Sequence, residues 1–88
     1  MTKVSTYKGN FAIHPGETVA ELMKFKNWND YELSQKIGVD KDIITKLVNG
    51  KIDIDASLAI KLGDIFGIRD TFFVTLQIIY STYLKERE

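Results

Sequence analysis

Two short amphipathic segments meet at a single glycine in "DYELSQKIGVDKDIITKLVNGK", Asp30 to Lys51. No other feature constrains the fold of this chain as strongly. Leu33 and Ile37 lie four apart and share one helix face before Gly38; Ile44, Leu47 and Val48 form a second apolar stripe after it. Glycine adopts the left-handed conformation without a Cβ penalty, so Gly38 ends one helix and turns the chain steeply into the next. Asn29 with Glu32 three residues later has the form of a capping box for the first of the pair. Asp40 is expected to cap the second with its carboxylate, and Asn49-Gly50 to end it.

The flanking sequence supplies helices to cover those stripes. Pro15 suits a first helical position, with His14 near the cap and Val19, Leu22 and Met23 on one face. "KNWND" closes this helix, and Trp28 and Tyr31 are expected to line its junction with the next. In "KIDIDASLAIKLGDIFG", Asp53 is the expected cap, Leu58, Leu62, Ile65 and Phe66 are the apolar face, and Gly67 is the stop. A fifth helix is expected from about Thr71 to Leu84. No alternating strand pattern persists, and residues 1–12, which show no clear period, are expected to be a loose arm or a short extended segment. The reading is an all-α chain of five helices joined by short loops: an arm at 1–12, then one domain at 13–88.

At 88 residues, 44% hydrophobic and 27% charged, the chain suits one folded domain. With no Cys there is neither a disulfide framework nor a thiolate metal site. The lone His14 sits at a helix start and reads as a capping or solvent-facing residue, and no nucleophile–base pair or glycine-rich phosphate loop is in view. Asp40/Asp42 and Asp53/Asp55 are explained by helix N-termini rather than by a metal. No enzyme, cofactor or metal site is expected. The N-terminal stretch has no signal-peptide run, and no segment approaches the roughly 18 apolar residues of a membrane span, so a cytoplasmic location is expected.

The glycine-broken pair has the pattern of a helix-turn-helix, whose second helix offers its N-terminal side chains to DNA bases. Ser34 falls at the crossing, where a small side chain allows close approach. With the apolar stripe inward, Lys41, Asp42, Thr45, Lys46 and Asn49 face outward. Lys41 suits guanine O6/N7, Thr45 a thymine methyl or a phosphate, and Asp42 a cytosine amino group. Lys46, Asn49 and Lys51 suit phosphates. Charge argues the other way. The net charge is zero, and residues 29–50 carry three Lys against four acids. Carboxylates near phosphates forgo counterion release and weaken non-specific binding.

The chain from Ile13 onward resembles the HigA-type (VapI-like) antitoxins of the Cro/cI-like (XRE, lambda repressor-like) helix-turn-helix superfamily. The resemblance rests on "IHPGE" (Ile13–Glu17), "YELSQKIGVDKDIITKLVNGK" (Tyr31–Lys51), "IDASLAIKLGDIFG" (Ile54–Gly67) and "FFVTLQ" (Phe72–Gln77). It implies a five-helix, mostly dimeric protein that represses its own operon at a palindromic site in double-stranded DNA. It also implies neutralisation of a small RNase toxin encoded alongside. On this resemblance the recognition helix starts at Lys41 and Asp42, has Thr45 and Lys46 at its middle and ends at Asn49. The sequence departs from the pattern at Asp30, where relatives often have glutamine. It also departs at Asp40 and Asp42, and at Arg69-Asp70-Thr71, where a Ser-Pro-Glu start is usual.

On a helical wheel Phe72, Phe73, Leu76, Ile79, Tyr80, Tyr83 and Leu84 form one stripe, expected to pack on the other helices. Val74 and Ile78 fall on the other side and are expected to form a homodimer interface. Two-fold pairing spaces recognition helices for successive major grooves, about 34 Å apart. The alternative is a protein-binding module, a toxin neutraliser or phage-derived partner, whose DNA face has decayed. The residues of the arm, among them Lys3, Tyr7, Lys8 and Phe11, suit DNA backbone or a partner equally.

Overall fold

The computed structural model describes the backbone of residues 7–8 and 11–87 and the side chains of residues 13–86. Five helices follow one another: α1 (Pro15–Lys26), α2 (Asp30–Ile37), α3 (Lys41–Val48), α4 (Ala56–Phe66) and α5 (Asp70–Arg87). The architecture is the expected all-α one. Ahead of it lies extended chain, one of the two states expected for residues 1–12, but paired with itself, which was not expected. β1 (Tyr7–Lys8) runs antiparallel to β2 (Phe11–Ala12), with Tyr7 opposite Ala12. The only signal for it was Gly9-Asn10, a dipeptide common between hairpin strands. The side chains expected to make the arm a binding element, Lys3, Tyr7, Lys8 and Phe11, lie outside the described residues.

Local chemistry explains most boundaries. His14 caps α1 by accepting from the Gly16 N–H at Nδ1, 2.8 Å away, with Pro15 as the first helical residue. Asn27 ends α1 in the left-handed conformation, with φ 67°. The capping box at α2 is complete: Glu32 N–H donates to Asn29 Oδ1 (2.8 Å), and Asn29 N–H donates to Glu32 Oε1 (2.9 Å). Gly67 closes α4.

Two expected caps differ. The cap of α4 is Asp55, which accepts from Leu58 N–H at 2.8 Å, and not Asp53. The reason lies 23 residues away. The buried Ile54 N–H donates to Gln77 Oε1 on α5 (2.7 Å), holding residue 54 out of the helix and delaying its start. Asp40 occupies the cap position of α3 but makes no side-chain cap bond, so its carboxylate is left exposed at the end of that helix.

One core serves all five helices. It joins Val19 and Met23, Leu33 and Ile37, Ile44 and Leu47, Leu58, Ala59, Leu62 and Phe66, and Phe73, with Ile54 from the α3–α4 loop. The rotation of α5 differs from the expected one. Its inward residues are Phe73, Gln77 and Tyr80, spaced by four and three, and Gln77 is buried although polar. Its carboxamide is satisfied by Ile54 N–H and by the Ser81 hydroxyl, 3.2 Å away. Placing Gln77 inside turns Phe72, Ile79 and Leu84 toward solvent instead of into the core. A pattern built on hydrophobicity alone puts a glutamine outside; the hydrogen bond to Ile54 is what reverses it. Tyr31 is likewise exposed, while Trp28 packs against Phe66 with ring centroids 5.6 Å apart.

Candidate nucleic-acid interface

The α2–α3 corner is built as the sequence pattern requires. Gly38 has φ +70°, and a Cβ there would meet open space, so the backbone conformation and not crowding calls for glycine. The Gly38 and Val39 N–H groups both donate to Ser34 O, at 2.9 and 3.1 Å, which closes the end of α2. Ser34 is buried at the crossing, and its hydroxyl is satisfied within α2 by Tyr31 O at 2.7 Å. Leu33, Ile37, Ile44 and Leu47 are buried beneath the corner. With that stripe inside, α3 can turn only its opposite side outward.

The outward side carries the expected residues. Lys41, Asp42, Lys46, Asn49 and Lys51 are exposed, and Thr45 is half-buried. Four of them are engaged with neighbours in ways that the sequence did not indicate. Asp42 Oδ2 lies 3.8 Å from Lys46 Nζ, one helical turn on. Both groups are exposed, so the pair is worth only about 0.3–0.5 kcal/mol and opens readily to other partners. Asn49 Nδ2 donates to Thr45 O at 2.8 Å, which ties the amide to the end of its own helix. Thr45 Oγ1 donates to Asp30 Oδ2, the first residue of α2, at 2.7 Å. That bond spans 15 residues of sequence and joins the two helices of the corner. Asp30 stood out in the sequence only as a departure; nothing there pointed to Thr45 as its partner.

His14 also proves more integrated than its sequence position suggests. It is buried, meets Tyr80 of α5 edge-on with ring centroids 4.8 Å apart, and lies beside Gly50 at the end of α3. It therefore sets α1, α5 and the end of α3 against one another. Its Nε2 has no hydrogen-bond partner among the described residues. Among the described residues no group of His, Asp and Glu is arranged to hold a metal, and no helix is long and apolar enough to cross a membrane.

Comparison with known proteins agrees with this geometry. The chain resembles several solved structures. An addiction-module antidote protein of the HigA family from Coxiella burnetii is 29% identical, with a TM-score of 0.77 over 82% of this chain and 79% of that one. The Pseudomonas aeruginosa antitoxin HigA, solved with the higBA promoter, is 28% identical, with a TM-score of 0.81 over 83% and 80%. A Nostoc punctiforme structure described as an antidote protein of a plasmid maintenance system is 26% identical, with a TM-score of 0.84 over 88% and 85%. No curated protein sequence matches the chain significantly. A family model described as Helix-turn-helix (HTH_3) matches residues 19–73, from the middle of α1 through the corner to the first turn of α5. The chain belongs to this helix-turn-helix family.

Proposed function

We propose that the protein is a sequence-specific DNA-binding transcriptional repressor that acts as the antitoxin of a toxin–antitoxin pair and autoregulates its operon. One observation carries the reading: the α2–α3 corner presents a polar face on a chain whose similar structures include HigA solved with its promoter. The protein is a binding protein rather than an enzyme. Lys41, at the first position of α3, reaches guanine edges, and Asp42 selects an amino-bearing edge. Lys46, Asn49 and Lys51 hold phosphates, with Lys46 exchanging Asp42 for the DNA backbone as it binds. The exposed carboxylates of Asp40 and Asp42 lower affinity for DNA of any sequence, so that base contacts decide where the protein stays. A decayed DNA face is the less favoured alternative. The nearby Lys41, Lys46 and Lys51 remain exposed.

Fluorescence anisotropy on the protein's own upstream DNA and on scrambled DNA, at two salt concentrations, tests this. Specific binding that weakens with salt is expected. Lys41→Ala should cost operator binding about 1–3 kcal/mol. Asp42→Ala should raise affinity for scrambled DNA. Feeble, equal binding to both DNAs would sink the repressor reading and leave toxin binding, examined by co-purification with the neighbouring gene's product.

The repressor works as a cytoplasmic homodimer on a palindromic operator, and its protein partner is a small RNase toxin. The residues before 13 form an arm, and 13–88 form the single domain, with α5 as its dimerisation element. Val74 packs partly on the core, while Ile78 is 57% exposed beside it, at a groove shared with Ile54, Ala56 and Thr82. A second copy related by a two-fold axis covers Ile78 and aligns both α3 helices with successive grooves. Ile78→Asp should halve the mass read by light scattering. A dimer of unchanged mass would remove Val74 and Ile78 from the interface.

A further inference from the structure

We propose that Asp30 is a specificity-determining residue that acts through Thr45. It accepts the hydrogen bond of the Thr45 hydroxyl, so that residue 45 enters the DNA groove as a hydrogen-bond acceptor that reads an exocyclic amino group, adenine N6 or cytosine N4. The inference rests on the repressor reading above.

A threonine hydroxyl has one proton and two lone pairs. A free threonine on a recognition helix therefore donates to guanine O6 or N7, to thymine O4 or to a phosphate, and it accepts from adenine or cytosine. It discriminates poorly because it serves either role. Here the proton is committed. Thr45 Oγ1 lies 2.7 Å from Asp30 Oδ2, a short bond of the charge-assisted kind. Donation to a carboxylate also makes the hydroxyl oxygen a stronger acceptor, because hydrogen bonds in a chain polarise one another. A base edge that offers only acceptors at this position meets an oxygen with no proton left to give.

The surroundings keep the arrangement in place. Asp30 is the first residue of α2, where the helix dipole favours a negative charge. It is half-buried, as is Thr45, so water competes poorly for the bond. The bond fixes the Thr45 side chain against α2, while the backbone oxygen of Thr45 accepts from Asn49 Nδ2 on the following turn. Asp42 lies three residues before Thr45 on the same helix and can only accept as well. Two acceptors one turn apart thus face the groove between the donors Lys41 and Lys46. The acids that lower the general affinity of this face also decide which bases it accepts.

The test is selection from a randomised double-stranded DNA library with the wild-type protein, Asp30→Asn, Asp30→Ala and Thr45→Val. Circular dichroism shows first that each variant is folded. The wild type should return a half-site with adenine or cytosine, on one strand, at one defined position. Thr45→Val, close in shape but without the acceptor, should lose that preference by about tenfold, the usual cost of one mismatched pair. Asp30→Ala should relax the same position by a similar factor, because the freed hydroxyl donates again. Asp30→Asn keeps a carbonyl acceptor for Thr45. It should keep the base preference while binding all DNA more tightly. If Asp30→Ala and Thr45→Val shift affinity for every sequence equally and leave the wild-type motif intact, the bond is only a structural tie and the proposal falls. If the wild type itself selects no motif, the repressor reading falls and takes the proposal with it.

Discussion

Gly16→Ala should destabilise the fold by about 3 kcal/mol or more. A Cβ built on Gly16 would stand 1.8 Å from the carbonyl oxygen of Leu47, well inside any real contact. The obstacle is backbone, near the end of α3, and no side-chain rotation relieves it. His14 blocks the other direction, since its Nδ1 lies 3.0 Å from the same Cβ position and caps α1 through the Gly16 N–H. The first turn of α1 must therefore withdraw from α3. That withdrawal opens the contacts of Val19 and Leu47, both fully buried, and disturbs the cap. Overpacking against an immobile neighbour costs about 3 kcal/mol or more, a large share of the roughly 5–15 kcal/mol that stabilises a small domain. Urea denaturation followed by circular dichroism measures it. A shift below about 1 kcal/mol would mean that α1 and α3 are not held this closely. Alanine is the better helix former, so local propensity alone predicts the opposite sign.

Phe73→Ala should be the second large effect, at about 3–5 kcal/mol, with Phe72→Ala as its control at about 1 kcal/mol or less. Phe73 is fully buried, the largest side chain at the centre of the core, whereas its neighbour Phe72 is 41% exposed. The two rings meet edge-on with centroids 5.2 Å apart, so Phe72→Ala also removes a modest aromatic contact. Truncating Phe73 leaves a cavity that α1 to α4 cannot close without losing their packing on one another. Truncating Phe72 leaves space that water fills. Thermal or urea denaturation of the two variants side by side gives the comparison. Equal losses would contradict the rotation of α5 found here. The rotation also matters for function, because it decides which apolar side chains α5 leaves for a second copy.

What the amino-acid order settled on its own was local. The caps at His14 and Asn29, the stops at Gly38 and Gly67 and the stripe of Ile44 and Leu47 are all encoded within about four residues. That is the range of a helical hydrogen bond. Those signals were enough to mark five helices, a glycine-turned corner between the second and third, and the outward set from Lys41 to Lys51. What depended on the folded chain was long in range. Gln77 turns inward because it meets Ile54, 23 residues earlier, and the same bond moves the cap of α4 from Asp53 to Asp55. The Thr45 hydroxyl is spent on Asp30, 15 residues earlier. Gly16 is required by the carbonyl of Leu47, a neighbour brought close only by packing α1 on α3. A polar residue's side of a helix follows from where its partner lies. Periodicity records hydrophobicity along one helix and carries no information about a hydrogen-bond partner on another.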